Sequence, residues 1–151
     1  MAVTLQINDA LFNQIDKELA SIGVFHRMPA LKAGLKAAGE IVEDRYRGNI
    51  PMPGYPGDKP GLKPLRDTLQ TKVKEYGLGR VVAIVGAAYP AGAHAHLLEE
   101  GHEKVLWGRR TGGKVQAFHL LQKAVDATKM AVDDAVMHGI RAAIAEAKKA
   151  V

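Results

Sequence analysis

Between Gly48 and Pro64 the chain alternates Pro51, Pro53, Pro56, Pro60 and Pro64 with Gly48, Gly54, Gly57 and Gly61. Proline removes backbone donors and glycine loses the most conformational freedom on ordering, so neither a helix nor an interior strand can run through this segment. It is a long loop joining two structured stretches, and loops of this length inside a compact domain are usually functional or ordered by a partner. The whole chain of 151 residues fits a single domain, 1–151. A domain of that size buries roughly 68–70% of the surface of its extended chain, enough to be stable without covalent staples. The absence of cysteine excludes disulfides, a thiolate zinc site and a cysteine nucleophile.

Before the loop, Asn8 or Asp9 can cap a helix over 8–22, with Leu11, Phe12, Ile15, Leu19 and Ile22 at three- and four-residue steps and Gly23 as the stop. A second helix, 29–47, starts at Pro29 and carries Leu31, Leu35, Ala38, Val42 and Tyr46 on one stripe. Gly34 and Gly39 each weaken it by about 1 kcal/mol relative to Ala, which predicts close packing against a neighbouring element. After the loop 48–64, Leu69, Thr71 and Val73 alternate with polar residues, a turn follows at Gly77-Leu78-Gly79, and Val81 to Val85 is continuously apolar. These predict a β-hairpin over 68–86, its second strand buried on both faces under helices or another subunit. His96-Leu97-Leu98-Glu99 reads as a short third strand, 95–99, or a single helical turn. Residues 101–116 read as a second long loop, glycine-rich with a basic tip. A helix over 119–150 carries Leu121, Val125, Thr128, Val132, Val136 and Ile140, with Gly139 as a point of bending or breakage. The expected class is α+β: a small antiparallel sheet packed against N-terminal helices and one long C-terminal helix, with two long loops.

Little here points to catalysis. Ser21 is the only serine and stands at a helix end, outside any nucleophile motif. Gly108 to Lys114 has the glycine and lysine spacing of a phosphate loop, but Val115 stands where Ser or Thr would bind magnesium. His94, His96, Glu99 and His102 are close in sequence, and His94 and His96 on a strand would share a face, the start of a zinc or iron site with Glu99, His102 or His119 completing it. Surface histidines beside an interface are the plainer alternative, and no metal or other cofactor is expected. The apolar run Val81 to Ala88 falls well short of the roughly 18 residues needed to cross a bilayer, and Met1 to Asn8 lacks the regions of a secretory signal. A soluble protein that stays where it is made is expected. The formal net charge of +5 favours an acidic partner without specifying one. Lys59, Lys63 and Arg66 begin a locally basic stretch, and Trp107, Arg109, Arg110 and Lys114 form a basic loop around the only tryptophan.

Gly61-Leu62, Leu65-Arg66-Asp67-Thr68-Leu69, Val85-Gly86, Ala95-His96-Leu97-Leu98-Glu99-Glu100-Gly101-His102 and Val115-Gln116-Ala117, running through Leu121 to Ala124, occur in an order with a familiar pattern. Over residues 30–150 the chain resembles the HK97 gp10-like family of tailed-phage neck and tail-completion (head-tail joining) proteins. The His96, Glu99, Gly101, His102 turn is the most specific part. Where the family enters its last helix through Pro-Phe-Leu-x-x-Ala, this chain has Phe118 to Ala124, with both the proline and the aromatic displaced.

The resemblance implies a structural virion component, not an enzyme, assembled in the host cytoplasm. It implies a homo-oligomeric ring, a hexamer, between the head-side connector or stopper and the tail tube or tail terminator, with DNA passing through the lumen in transient, non-specific contact. Trp107, Arg109, Arg110, Lys114, Lys59, Lys63 and Arg66 are then the candidates for subunit interface or lumen, since Trp ringed by Arg is the usual form of an interface hot spot. Both long loops are expected to be ordered mainly by neighbouring subunits. A small basic DNA-binding module is the alternative, and a small metal-dependent hydrolase built on His94 and His96 a further one.

Overall fold

The computed structural model describes residues 9–22, 24–51, 63–77 and 80–149. Helix α1 (Asp9–Ala20) and helix α2 (Val24–Asn49) come first, then a 3-10 turn (Leu65–Thr68) and an antiparallel hairpin of β1 (Leu69–Tyr76) and β2 (Arg80–Ala87). Helix α3 (Ala95–Glu100), a second antiparallel hairpin of β3 (His102–Leu106) and β4 (Arg109–Val115), and helix α4 (Leu120–Lys149) complete the chain. The fold is α+β, with a long C-terminal helix and two separate two-stranded sheets among the described residues.

α2 is the middle element, flanked by α4 and by the β1–β2 hairpin. Its buried stripe is Ala30, Gly34, Ala38, Val42 and Tyr46, continued by Ile50 just past its end, and α4 answers with Ala124, Thr128, Val132, Val136, Ile140 and Ile144. Both run at four-residue steps, the rows that interdigitate in ridges-into-grooves packing. Small residues let the two helices touch. A Cβ on Gly139 would stand 2.8 Å from Gly34 Cα, and one on Gly34 would stand 2.7 Å from both Ile140 Cγ1 and the Val136 carbonyl. Gly39 serves the other flank, where a Cβ would collide with Thr71 of β1. Thr71 Oγ1 there donates to Glu43 Oε2 at 2.8 Å, and Lys32 Nζ meets Glu75 Oε2 at 2.7 Å. Thr128, buried in the helix interface, satisfies its hydroxyl on the Ala124 carbonyl at 2.8 Å.

Several expectations need correction. α2 starts at Val24, not Pro29, because a proline near a helix N-terminus forfeits only one intrahelical bond and the preceding turn can still form. Gly139 does not break α4, since its missing side chain is filled by α2. Segment 95–99 is helical, not a third strand. Segment 101–116 is a hairpin, not a loop. β2 is an edge strand covered by α2 on one face only, so Val82 and Ile84 remain exposed on the other, beside Lys74 and Lys72 of β1. The expected loop 48–64 lies largely outside the described residues, and so does Lys59. No helix is long and apolar enough to cross a membrane among the described residues.

Candidate functional site

The β3–β4 hairpin departs most from the pattern of a buried core. Leu106 pairs with Arg109, which leaves Trp107-Gly108 as a two-residue turn with φ of 52° and 76°. Positive φ at both positions is the geometry of a type I′ turn, whose preferred sequence is Asn-Gly or Asp-Gly. A left-handed conformation costs a residue with a Cβ roughly 1–2 kcal/mol. Tryptophan stands there all the same, 98% exposed, with Val105 and Leu106 exposed beside it. An apolar cluster held in a strained turn on the outside gains nothing from the chain's own folding.

The arm is cationic around this apolar tip. Lys104, Arg109, Arg110 and Lys114 are exposed, and only Glu103 opposes them within the hairpin, meeting Arg110 Nε at 3.3 Å. Thr111 Oγ1 donates to the Lys104 carbonyl at 2.9 Å across a register shift between Glu103 and Val105. The two strands pack extensively only on one another, so the hairpin stands clear of the body. Gly108 to Lys114 lies in this hairpin and the next helix opens only at Leu120, so Lys114 does not stand at the helix N-terminus that a phosphate loop requires.

At its root the arm is clamped to the core by the turn from Leu98 to His102. Gly101 has φ of 72°, and a Cβ there would lie 2.5 Å from the Val115 carbonyl and 2.9 Å from Ala117 N, so only glycine fits. Phe118 N donates to the Leu98 carbonyl at 2.8 Å. Glu99 is buried, and its carboxyl accepts the Leu121 N–H at 3.0 Å and 3.3 Å through its two oxygens. That donor belongs to the first turn of α4, which has no intrahelical acceptors to offer it. Tyr46 of α2, also buried, donates its hydroxyl to Glu99. Burial first, then the charge of Glu99 and this hydrogen bond, push the Tyr46 phenol well above its ordinary pKa of 10.0, so it stays a donor. One carboxyl thus ties α2, α3 and the start of α4 together. Asn49 Nδ2 adds a bond to the Leu120 carbonyl at 3.1 Å.

The remaining sequence candidates separate. His94 precedes α3 and His96 lies in its first turn, so the shared strand face expected for a metal pair does not exist. His96 Nδ1 lies 2.6 Å from the Ala93 carbonyl and His102 Nδ1 lies 3.3 Å from the Leu97 carbonyl, so in each ring that nitrogen is the donor. No group of three His, Asp or Glu side chains could hold a metal ion among the described residues. Lys63 leads into the 3-10 turn and Arg66 lies within it, where Arg47 Nε donates to the Arg66 carbonyl at 3.3 Å; neither belongs to the arm. Sequence reasoning picked out Trp107, Arg109, Arg110 and Lys114 but missed the partnership of Tyr46 with Glu99, which no local spacing announces. Compared with known proteins, the chain matches no family model, no curated protein and no solved structure.

Proposed function

We propose that the chain is a non-enzymatic structural subunit of a tailed-phage neck, forming a ring, a hexamer, that joins the head connector to the tail and lets DNA pass. The observation that carries this reading is the β3–β4 arm, which presents Trp107 almost fully exposed in a strained turn away from the core. Such a side chain makes sense as an anchor for a neighbouring protein, because desolvated Trp and Arg dominate interface energetics. The second apolar surface, Val82 and Ile84 on the open face of the first hairpin, gives a subunit with more than one contact to make. His96, Glu99, Gly101 and His102 act in this reading as the bracket that aims the arm. Mass measurement of the purified chain, alone and mixed with virion neck proteins, tests it. A closed oligomer, or incorporation into a partner ring without nucleic acid, is expected; a chain that stays monomeric and joins neither head-side nor tail-side proteins contradicts it.

The cationic flanks of the arm favour a second reading, a DNA-contacting β-ribbon. Its signature is an affinity for unrelated DNA sequences that falls steeply with salt, in the absence of any protein assembly.

A further inference from the structure

Phe12, Ile15 and Leu19 of α1 face Leu31 and Leu35 of α2 and Val81 of β2 across a groove of about 340 Å³. Its walls are apolar apart from Asp16. Phe12 is 62% exposed, so the groove is open to a visitor and not a sealed part of the core. Resting on the ring reading above, we infer that this groove receives the β3–β4 arm of a second copy of the chain, Trp107 entering between Phe12 and Leu35 in a head-to-tail contact.

Two independent features of the surfaces match. The first is shape and polarity: the arm ends in Val105, Leu106 and Trp107, all exposed, and the groove offers an aliphatic and aromatic slot with room for an indole and a flanking aliphatic side chain. The second is charge. The arm carries Lys104, Arg109, Arg110 and Lys114 against Glu103, whereas α1 carries Asp9, Asp16 and Glu18 against Lys17. Glu18 is engaged by Arg141 at 2.9 Å, and Lys32 beside the groove is held by Glu75, so Asp9 and Asp16 supply the field that an incoming arginine meets. Opposite potentials across a contact favour encounter and fix its orientation. Because the arm and the groove are different surfaces of one subunit, their union is heterologous, and such contacts propagate from copy to copy into a ring when the rotation closes.

The single tryptophan makes the contact directly readable. As the full-length protein assembles with rising concentration, Trp107 emission should move to shorter wavelength as the indole leaves water. Trp107→Ala removes the donor and Phe12→Arg the acceptor, and since both side chains are largely exposed, each variant should keep wild-type far-ultraviolet dichroism. Each alone should lose association by roughly 30-fold or more. Mixed together they should form a one-to-one heterodimer that grows no further, because only the arm of Phe12→Arg and the groove of Trp107→Ala remain competent. Full assembly of Phe12→Arg, or no heterodimer from the mixture, overturns the contact while leaving the ring reading in place. Assembly of the wild type without any shift in Trp107 emission shows that the groove takes another segment, which also overturns it. A wild-type chain that stays monomeric and enters no neck complex defeats the ring reading itself, and this contact with it.

Discussion

Gly34 of α2 and Gly139 of α4 meet back to back, so near that a single added Cβ on Gly139 would stand 2.8 Å from the Gly34 Cα. Helix propensity alone would favour alanine at both positions by about 1 kcal/mol. The contact reverses that preference, because the atoms a new methyl would meet are backbone and cannot swing aside. Gly139→Ala should therefore destabilise by about 1–3 kcal/mol in urea unfolding, the usual cost of overpacking. Gly48, on the same α2 helix, has nothing within 4 Å of a built Cβ, and Gly48→Ala should be neutral or stabilising by up to about 1 kcal/mol.

Glu99→Ala should cost about 3 kcal/mol, since it orphans two buried donors at once, the Leu121 N–H and the Tyr46 hydroxyl. Glu100→Ala, one residue along and exposed, should stay within about 0.5 kcal/mol. Equal effects of the two, measured by chemical denaturation, would remove Glu99 from the role assigned to it.

The raised pKa of Tyr46 fixes a pH dependence. Above pH 10.0, the phenol's ordinary value, the unfolded chain releases this proton while the folded chain keeps it. The unfolded state then binds fewer protons, and stability falls as pH rises. The contribution is complete below that pH and is lost progressively above it. Tyr46→Phe should lower stability at neutral pH by about 1 kcal/mol, the worth of one hydrogen bond, and should flatten the alkaline decline relative to wild type.

At the arm's tip, Trp107→Asn places a preferred residue in the type I′ turn. Stability should rise by about 0.5–1 kcal/mol while self-association falls, the opposition expected when a side chain serves a contact outside its own fold. A parallel loss of both, followed by thermal unfolding and sedimentation, would place Trp107 in the subunit's own structure.

Arg109→Ala combined with Arg110→Ala should lower DNA affinity by one common factor for unrelated sequences and flatten the logarithmic salt dependence by about two. The mass of the assembled form should not change, since rim charges act mainly on the rate of encounter.

The sequence made the helices legible because their apolar residues recur at helical steps, and Gly34 and Gly39 announced close approach because nothing else accounts for glycine inside a helix. The β3–β4 hairpin was hidden for the complementary reason. Alternation in a strand records burial of one face, and a hairpin whose outer part stays exposed on both faces buries neither, so Gly112, Gly113 and the surrounding charges read as a loop. The unbroken apolar run Val81 to Val85 misled in the other direction, suggesting an interior strand where Val82 and Ile84 in fact face outward. Residues 95–99 were ambiguous because the helix they belong to, Ala95–Glu100, has six residues, less than two turns and too few for either periodicity to assert itself. Of the site, the exposure of Trp107 was readable from its place among glycines and arginines outside the apolar pattern, whereas the Tyr46 and Glu99 pair depends on two elements meeting in space.

The arm leaves the body at Gly101 and returns at Val115, and those two backbones touch. A graft boundary is therefore built into the chain. Everything between the two residues can be lengthened, shortened or exchanged without reopening the helical core, which is sealed beneath by Glu99 and Leu121. If the arm docks as proposed, a lineage carrying this fold changes its partner by rewriting one short ribbon, and an engineer does the same by splicing another hairpin onto the same pair of ends.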